Sequence, residues 1–183
     1  MTTRPAPPTG LYLQLYRDAI RAATRSEARR AQLARYLDQI AAWGYPGVVF
    51  HGFPRELLAA WPRLAAMAHD RGLHALASWG LDSAKDNDGT RLTAHEKGDL
   101  VGQVLADASC AAGLLDAEGQ WDSDLGPADD MDEAGALALC DAIASRAPGA
   151  WVGDQPWYAI DSHGDVRRPA RPIEHGGVFR GFP

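Results

Sequence analysis

The chain has 183 residues, 46% of them apolar and 23% charged, with a net charge of −6 at neutral pH. That length suits one globular domain over residues 1–183, with residues 1–10 as a flexible start and the Gly-, Pro- and Arg-rich residues 158–183 as an irregular tail. Six Trp, five Tyr and four Phe exclude a disordered chain, and no apolar run reaches the roughly 18–20 residues of a membrane span. Leu11 to Tyr16 alternates after Gly10 and predicts a strand. Ser26 then predicts the cap of a long helix with Leu33, Leu37, Ile40 and Ala41 on one stripe and Gly44 past its end. Val48 to His51 reads as a short apolar strand. Pro62 fits the first turn of the following helix, which runs to Gly72, and Pro54 fits a short helical turn before it. Leu73 to Trp79 predicts a third strand, and Thr93 with Glu96 forms a capping box ahead of Leu100, Val101, Val104 and Leu105. Ala112 to Glu118 predicts a fourth strand. Asp130 with Glu133 resembles a second box, before a helix that Pro148 and Gly149 end. Ala150 to Asp154 begins a fifth strand.

Strands alternating with helices predict an α/β fold with a parallel sheet and right-handed crossovers. Two architectures fit: a partial (β/α) TIM-type barrel of about five parallel strands in the order 1-2-3-4-5, and an open doubly wound five-stranded sheet. Length favours the open sheet, since a barrel usually needs about 250 residues, whereas the first strand runs into Arg17, Asp18, Ala19 and Ile20 with no glycine-rich phosphate loop, which favours the barrel. An arc of five strands has two edges with unpaired N–H and C=O groups and an apolar inner face to cover. A homo-oligomer, or a partner chain completing the barrel, is therefore expected.

Charge and cysteine content narrow the function classes. Residues 1–71 carry +5, residues 72–165 carry −14 and residues 166–183 carry +3. A chain acidic overall is not expected to bind nucleic acid. Arg21, Arg25 and Arg29, with Arg30 beside them, lie at helical spacing and read as a solvated helix face. Cys110 and Cys140 supply neither a disulfide framework nor a metal spacing and read as a reduced pair. Asp122, Asp124 and Glu133 imitate part of a calcium loop, but Pro127 stands where such a loop needs a glycine. No metal and no cofactor is expected.

The candidate chemistry sits at the strand ends. Asp116 and Glu118 are two apart on the fourth predicted strand, so both carboxylates share one face, with Cα atoms about 6.5–7 Å apart. At the C-terminal end of a barrel strand they face the pocket where such folds keep their active sites. Two carboxylates so close do not both ionise cheaply, which leaves one as a proton donor and the other as base, nucleophile or charge stabiliser. Glycoside cleavage needs that division of labour. Asp154, ending the fifth strand, is a third candidate carboxylate. Tyr16, Trp79, Trp121, Trp157 and Tyr158 cluster at predicted strand ends, where flat rings suit sugars. His51 and Gln14 complete the candidate substrate-binding set.

Gly113-Leu114-Leu115-Asp116-Ala117-Glu118 on a fourth strand resembles the D-x-E strand of family 25-type muramidases and related barrel glycosidases, several of them phage- or actinobacteria-associated. The resemblance implies a (β/α)8-type fold of which this chain holds the first five units. It implies a glycan substrate such as peptidoglycan, Glu118 as the acid and Asp116 as its companion. The first strand offers Gln14 and Tyr16, and no acid, at its end. An alternative is therefore a non-catalytic structural or binding module of a larger assembly, such as a virion or cell-surface part. Met1 to Pro8 hold no apolar stretch, which predicts a cytoplasmic chain, exported if at all by separate machinery or built into a virion.

Overall fold

Five parallel strands stand side by side in the order in which the chain makes them. The computed structural model describes residues 10–80, 92–116, 133–155, 159–160, 166–167 and 180–181. Its strands are β1 (Leu13–Leu15), β2 (Gly47–His51), β3 (His74–Gly80), β4 (Cys110–Asp116) and β5 (Trp151–Gln155). Each pairs in parallel with the next. The order has no reversal, so the barrel-type arrangement holds and the doubly wound alternative does not. The sheet is not closed. Three short strands fall in the segment expected to be irregular: β6 (Ala159–Ile160) and β7 (Val166–Arg167) pair with each other, and β8 (Arg180–Gly181) lies antiparallel on β5. β8 thus pairs with Trp151 and Val152 at the start of the β5 edge, which the sequence reading left bare.

The helices follow their local chemistry. Between β1 and β2 lie α1 (Arg17–Thr24) and α2 (Glu27–Ala42). Ser26 caps α2 as expected, accepting from the Arg29 N–H at 3.4 Å, and Gly44 takes φ +80° after its end. The α2 stripe Leu33, Leu37 and Ile40 is buried. α1 was not expected. It buries Ile20 and Ala23, and Arg25 then turns the chain out of the helix before Ser26 starts the next. The arginines at helical spacing therefore do not lie along one helix: Arg21 is on α1, Arg25 caps it, and Arg29 is in the first turn of α2.

α3 (Pro54–His69) is one helix rather than a turn followed by a helix. Pro54 occupies its first turn, where a missing N–H costs nothing. Pro62, expected at that place, lies in the helix interior, exposed to solvent, where it removes one backbone hydrogen bond. α4 (Ala94–Ala106) starts with the predicted box: Glu96 N–H donates to Thr93 Oγ1 at 3.2 Å, and Thr93 N–H donates to Glu96 Oε2 at 2.8 Å. α5 (Glu133–Arg146) packs against α4 more extensively than any other two helices pack. Gly98 and Gly102, one turn apart on α4, allow it. A methyl at Gly98 would stand 2.5 Å from the Leu139 carbonyl oxygen, and one at Gly102 would stand 2.6 Å from Arg146 Cβ.

Side-chain alternation divides the sheet into two faces. Val48, Phe50, Ala75, Ala77 and Trp79 join the main core with the helices, where Phe50 meets Trp61 edge to face at 6.3 Å. Val49, Leu76 and Ala112 form a second, smaller cluster on the other face, with Tyr12, Leu114 and Trp151 packed around it. Those three are each only 2% exposed. The inner face of the central strands is covered within the chain, contrary to the expectation of a bare apolar wall.

Candidate functional site

The C-terminal ends of β1, β2 and β3 bring together a tyrosine, a histidine and a serine. Leu15 pairs with Phe50, so Tyr16 follows β1 level with His51, and His51 pairs with Ser78. The Tyr16 and His51 rings meet edge to face with centroids 5.5 Å apart. His51 Nδ1 and Ser78 Oγ share a hydrogen bond at 3.0 Å. Ser78 is completely buried, His51 is half-buried, and Tyr16 is 64% exposed. The three side chains thus rise from the core to solvent in one row. A buried hydroxyl fixes the imidazole, and the imidazole supports an aromatic ring open to water.

The wall beside this row is also fixed. Ile20 of α1 sits on Gly52, which has no Cβ to obstruct it. Glu56 of α3 accepts from Arg17 Nε and Arg21 Nε, each at 3.3 Å, and the Arg17 guanidinium lies 4.0 Å from the Phe53 ring centre. α1 is therefore tied to the start of α3 at the same end of the sheet.

β3 leads from the row to β4. Ser78 pairs with Leu114 and Gly80 with Asp116, after a register shift between Ala75 and Leu76. Asp116 is the last residue of β4 and pairs on its other side with Gln155. Asp154 pairs with Leu115, in the row that also holds Trp79. For Asp116 and Asp154 the description is of backbone position. Glu118, Trp121, Trp157 and Tyr158 lie outside the described residues.

Trp79 needs correcting as a sugar-binding candidate. It is fully buried on the helix-facing side, stacked over Gly113, and its Nε1–H has no hydrogen-bond partner. Its parity with Ala75 and Ala77 puts it in the core although it lies near the end of β3. Gln14 pairs with Val49, two rows below Tyr16. Ser78 was missed by the sequence reading. Its signal was parity: residues two apart share a face, so Ser78 falls with Leu76 on the inner side. Lys97 was missed too. It is 2% exposed on the fourth position of α4 and is engaged there, in keeping with the rarity of unpaired buried lysines. Among the described residues no cluster of His, Cys, Asp or Glu has the makings of a metal site. Cys110 and Cys140 are both free thiols, and burial, then the Asp141 charge, pushes the Cys140 thiol up in pKa. No helix among the described residues is long and apolar enough to cross a membrane.

Comparison with known proteins agrees with the fold. No protein-family model matches the chain, and no curated protein matches it. Among solved structures the chain is similar to a glycoside hydrolase family 5 protein (GH5_18) from Streptomyces cattleya, solved in complex with GlcNAc. The TM-score is 0.52 at 15% identity, over 87% of this chain and 47% of the other. The chain thus spans about half the length of that structure. The likeness establishes an α/β fold of TIM-barrel type with five parallel strands in sequential order and an open sheet.

Proposed function

We propose that the chain engages a glycan at the C-terminal ends of its strands and cleaves a glycosidic bond there, with Glu118 as proton donor and Asp116 as the assisting carboxylate. The observation that carries this reading is the Tyr16–His51–Ser78 row, a buttressed aromatic surface at the end of the sheet where barrel folds keep their chemistry. Two further points support it: β4 ends at Asp116, paired with Gly80 two residues past Ser78, and the similar family 5 structure holds GlcNAc. In this reading Tyr16 stacks on a sugar ring, His51 and Gln14 donate or accept at its hydroxyls, and Trp121, Trp157 and Tyr158 extend the aromatic surface. Asp154 serves as a third carboxylate. The finer form of the proposal is a muramidase-like enzyme acting on peptidoglycan, with a second copy or a partner chain at the open edge of the sheet.

A second reading is favoured by one observation. β1 runs into Tyr16, β2 ends in His51 and β3 ends in Ser78, Trp79 and Gly80, and none of these described residues is a carboxylate. A non-catalytic module of a larger assembly would keep the glycan surface without turnover. The two readings separate on one experiment. Wild type and Glu118→Gln are incubated with peptidoglycan and with chitooligosaccharides, and new reducing ends and binding are both measured. The hydrolase predicts that Glu118→Gln loses at least about 100-fold in rate while still binding, the scale of general acid catalysis. If the wild type cleaves nothing but Tyr16→Ala weakens binding, the module reading stands. If neither cleavage nor Tyr16-dependent binding is found, both readings fail.

A further inference from the structure

We infer that the glycan bound by this chain is acidic, and that its carboxylates are taken by an arginine-lined cleft adjoining the strand ends. The inference rests on the glycan reading above. The cleft runs between the end of β1, α1 and the first turns of α2, with a volume of about 500 Å³. That is within the roughly 300–1,000 Å³ typical of small-molecule sites. Tyr16, Arg21, Arg25, Arg29 and Tyr36 line it.

The charge in the cleft comes from the break between α1 and α2. One continuous helix would have displayed Arg21, Arg25 and Arg29 outward along a single stripe. The turn at Arg25 and Ser26 brings them to one concavity from two helices instead. Asp18 is the one acid among the lining residues, against three arginines. Arg21 is partly neutralised, since its Nε donates to Glu56, but Glu56 also serves Arg17. Arg29 donates to the neutral Gln32 at 3.2 Å. The Arg25 carbonyl accepts from Arg30, while the Arg25 guanidinium has no ion-pair partner among the described residues. Arg25 and Arg29 thus present guanidinium groups whose planar fork matches a carboxylate.

The aromatic lining selects a sugar as the carrier of that carboxylate. Tyr16 is 64% exposed and Tyr36 is 48% exposed, each a flat apolar surface with a polar edge. Tyr16 borders both the cleft and His51, so one extended chain can run from the strand ends into the cleft. A chain with a net charge of −6 repels polyanions in general, so attraction confined to this cleft makes recognition local.

The test compares three oligosaccharide probes by calorimetry: oligogalacturonate tetramer, its methyl ester and neutral chitotetraose. The acid is expected to bind at least about tenfold tighter than its ester. Arg25→Ala/Arg29→Ala should remove that advantage while leaving chitotetraose binding unchanged, with folding confirmed by circular dichroism. Raising salt from about 50 to about 200 mM should weaken the acid probe alone. Equal affinity for acid and ester, or an acid advantage that survives in the double variant, overturns the inference while leaving the strand-end site intact. Loss of a self-associated species in the double variant, seen by light scattering, also overturns it and makes the cleft an interface between copies. If Tyr16→Ala abolishes chitotetraose binding while the arginine variant does not, the strand-end reading holds on its own. If no probe binds the wild type, both fall together.

Discussion

The contact between Gly113 and Trp79 tests whether β4 is held in the place that the candidate site requires. A methyl at Gly113 would stand 2.7 Å from Trp79 Cη2, 2.9 Å from Leu105 Cδ2 and 3.0 Å from Trp79 Cζ3. Ordinary contact begins at 3.4 Å, so the ring must retreat by about 0.7 Å at the nearest point. Trp79 is fully buried and has no open space to retreat into. Overpacking of this kind costs about 1–3 kcal/mol. At about 2–4 °C per kcal/mol for a chain of this size, Gly113→Ala should lower the melting temperature by roughly 2–12 °C. Trp79→Phe removes the clashing part of the ring. Alone it should cost about 2 kcal/mol through the cavity it opens, partly offset by loss of the unpartnered Nε1–H. The informative quantity is the coupling in the double-mutant cycle: Gly113→Ala should cost about 1–3 kcal/mol less in the Trp79→Phe background. Chemical denaturation followed by circular dichroism gives all four stabilities. The packing argument is refuted if Gly113→Ala costs the same in both backgrounds, or costs nothing in either.

Three other variants probe the same frame. Gly98→Ala should destabilise despite a helix-propensity gain of about 1 kcal/mol, because the methyl meets the Leu139 carbonyl; a rise in melting temperature would show that α4 and α5 can part freely. Ser78→Ala should cost about 1–2 kcal/mol and weaken glycan binding, since it removes the hydroxyl that shares a hydrogen bond with His51 Nδ1; unchanged binding affinity would show that this bond does not orient the imidazole for binding. Glu96 is held below its ordinary carboxylate pKa by hydrogen bonds from the Thr93 backbone and side chain, and Asp99 first by its hydrogen bond from Arg146. Depressed folded-state values contribute stability that is present above the unfolded value of about 4 and is lost as pH falls through the lower folded value. Glu96→Gln, which removes the titrating group, should therefore flatten the acid limb of the stability profile below about pH 4.5, and a parallel limb would contradict the capping account.

What could be read from the sequence, and what could not, follows the range of the forces involved. Ser26, Gly44, Thr93 and Glu96 were legible because capping is settled within four residues. The strand order was legible because short alternations of strand and helix admit few topologies. α1 was not, because Tyr16 gives it no side-chain cap and Arg21, Arg25 and Arg29 continue a helical spacing straight across the break. Trp79 was read from its place along the strand, whereas parity decides its face and puts it against Gly113. Gly98 and Gly102 were not singled out, because what they make room for, α5, lies some forty residues further on. The Tyr16–His51 contact joins residues thirty-five apart, and the Arg cleft, though made by neighbouring elements, depends on the break between α1 and α2 that the helical spacing of the arginines hides.

The register shift between β3 and β4 bears on which β4 residue comes level with the strand end beyond the Tyr16–His51–Ser78 row. Ala75 pairs with Cys110, but Leu76 pairs with Ala112, so β4 carries one extra residue at that point. Continued without the shift, the register would have set Ser78 against Gly113 and Gly80 against Leu115. A strand alternates with a period of two, so a slip of one residue exchanges its faces. The extra residue sets Leu114 opposite Ser78 and Asp116 opposite Gly80, two rows of the same parity. Bulges of this kind recur near active sites because they re-aim a strand at little cost elsewhere. Here the irregularity lies at the start of β4, while its effect is carried to the strand's last residue. The Trp79 ring over Gly113 then fixes the register between those two points, so that packing on the helix side governs which β4 residue reaches the level of Gly80 at the mouth.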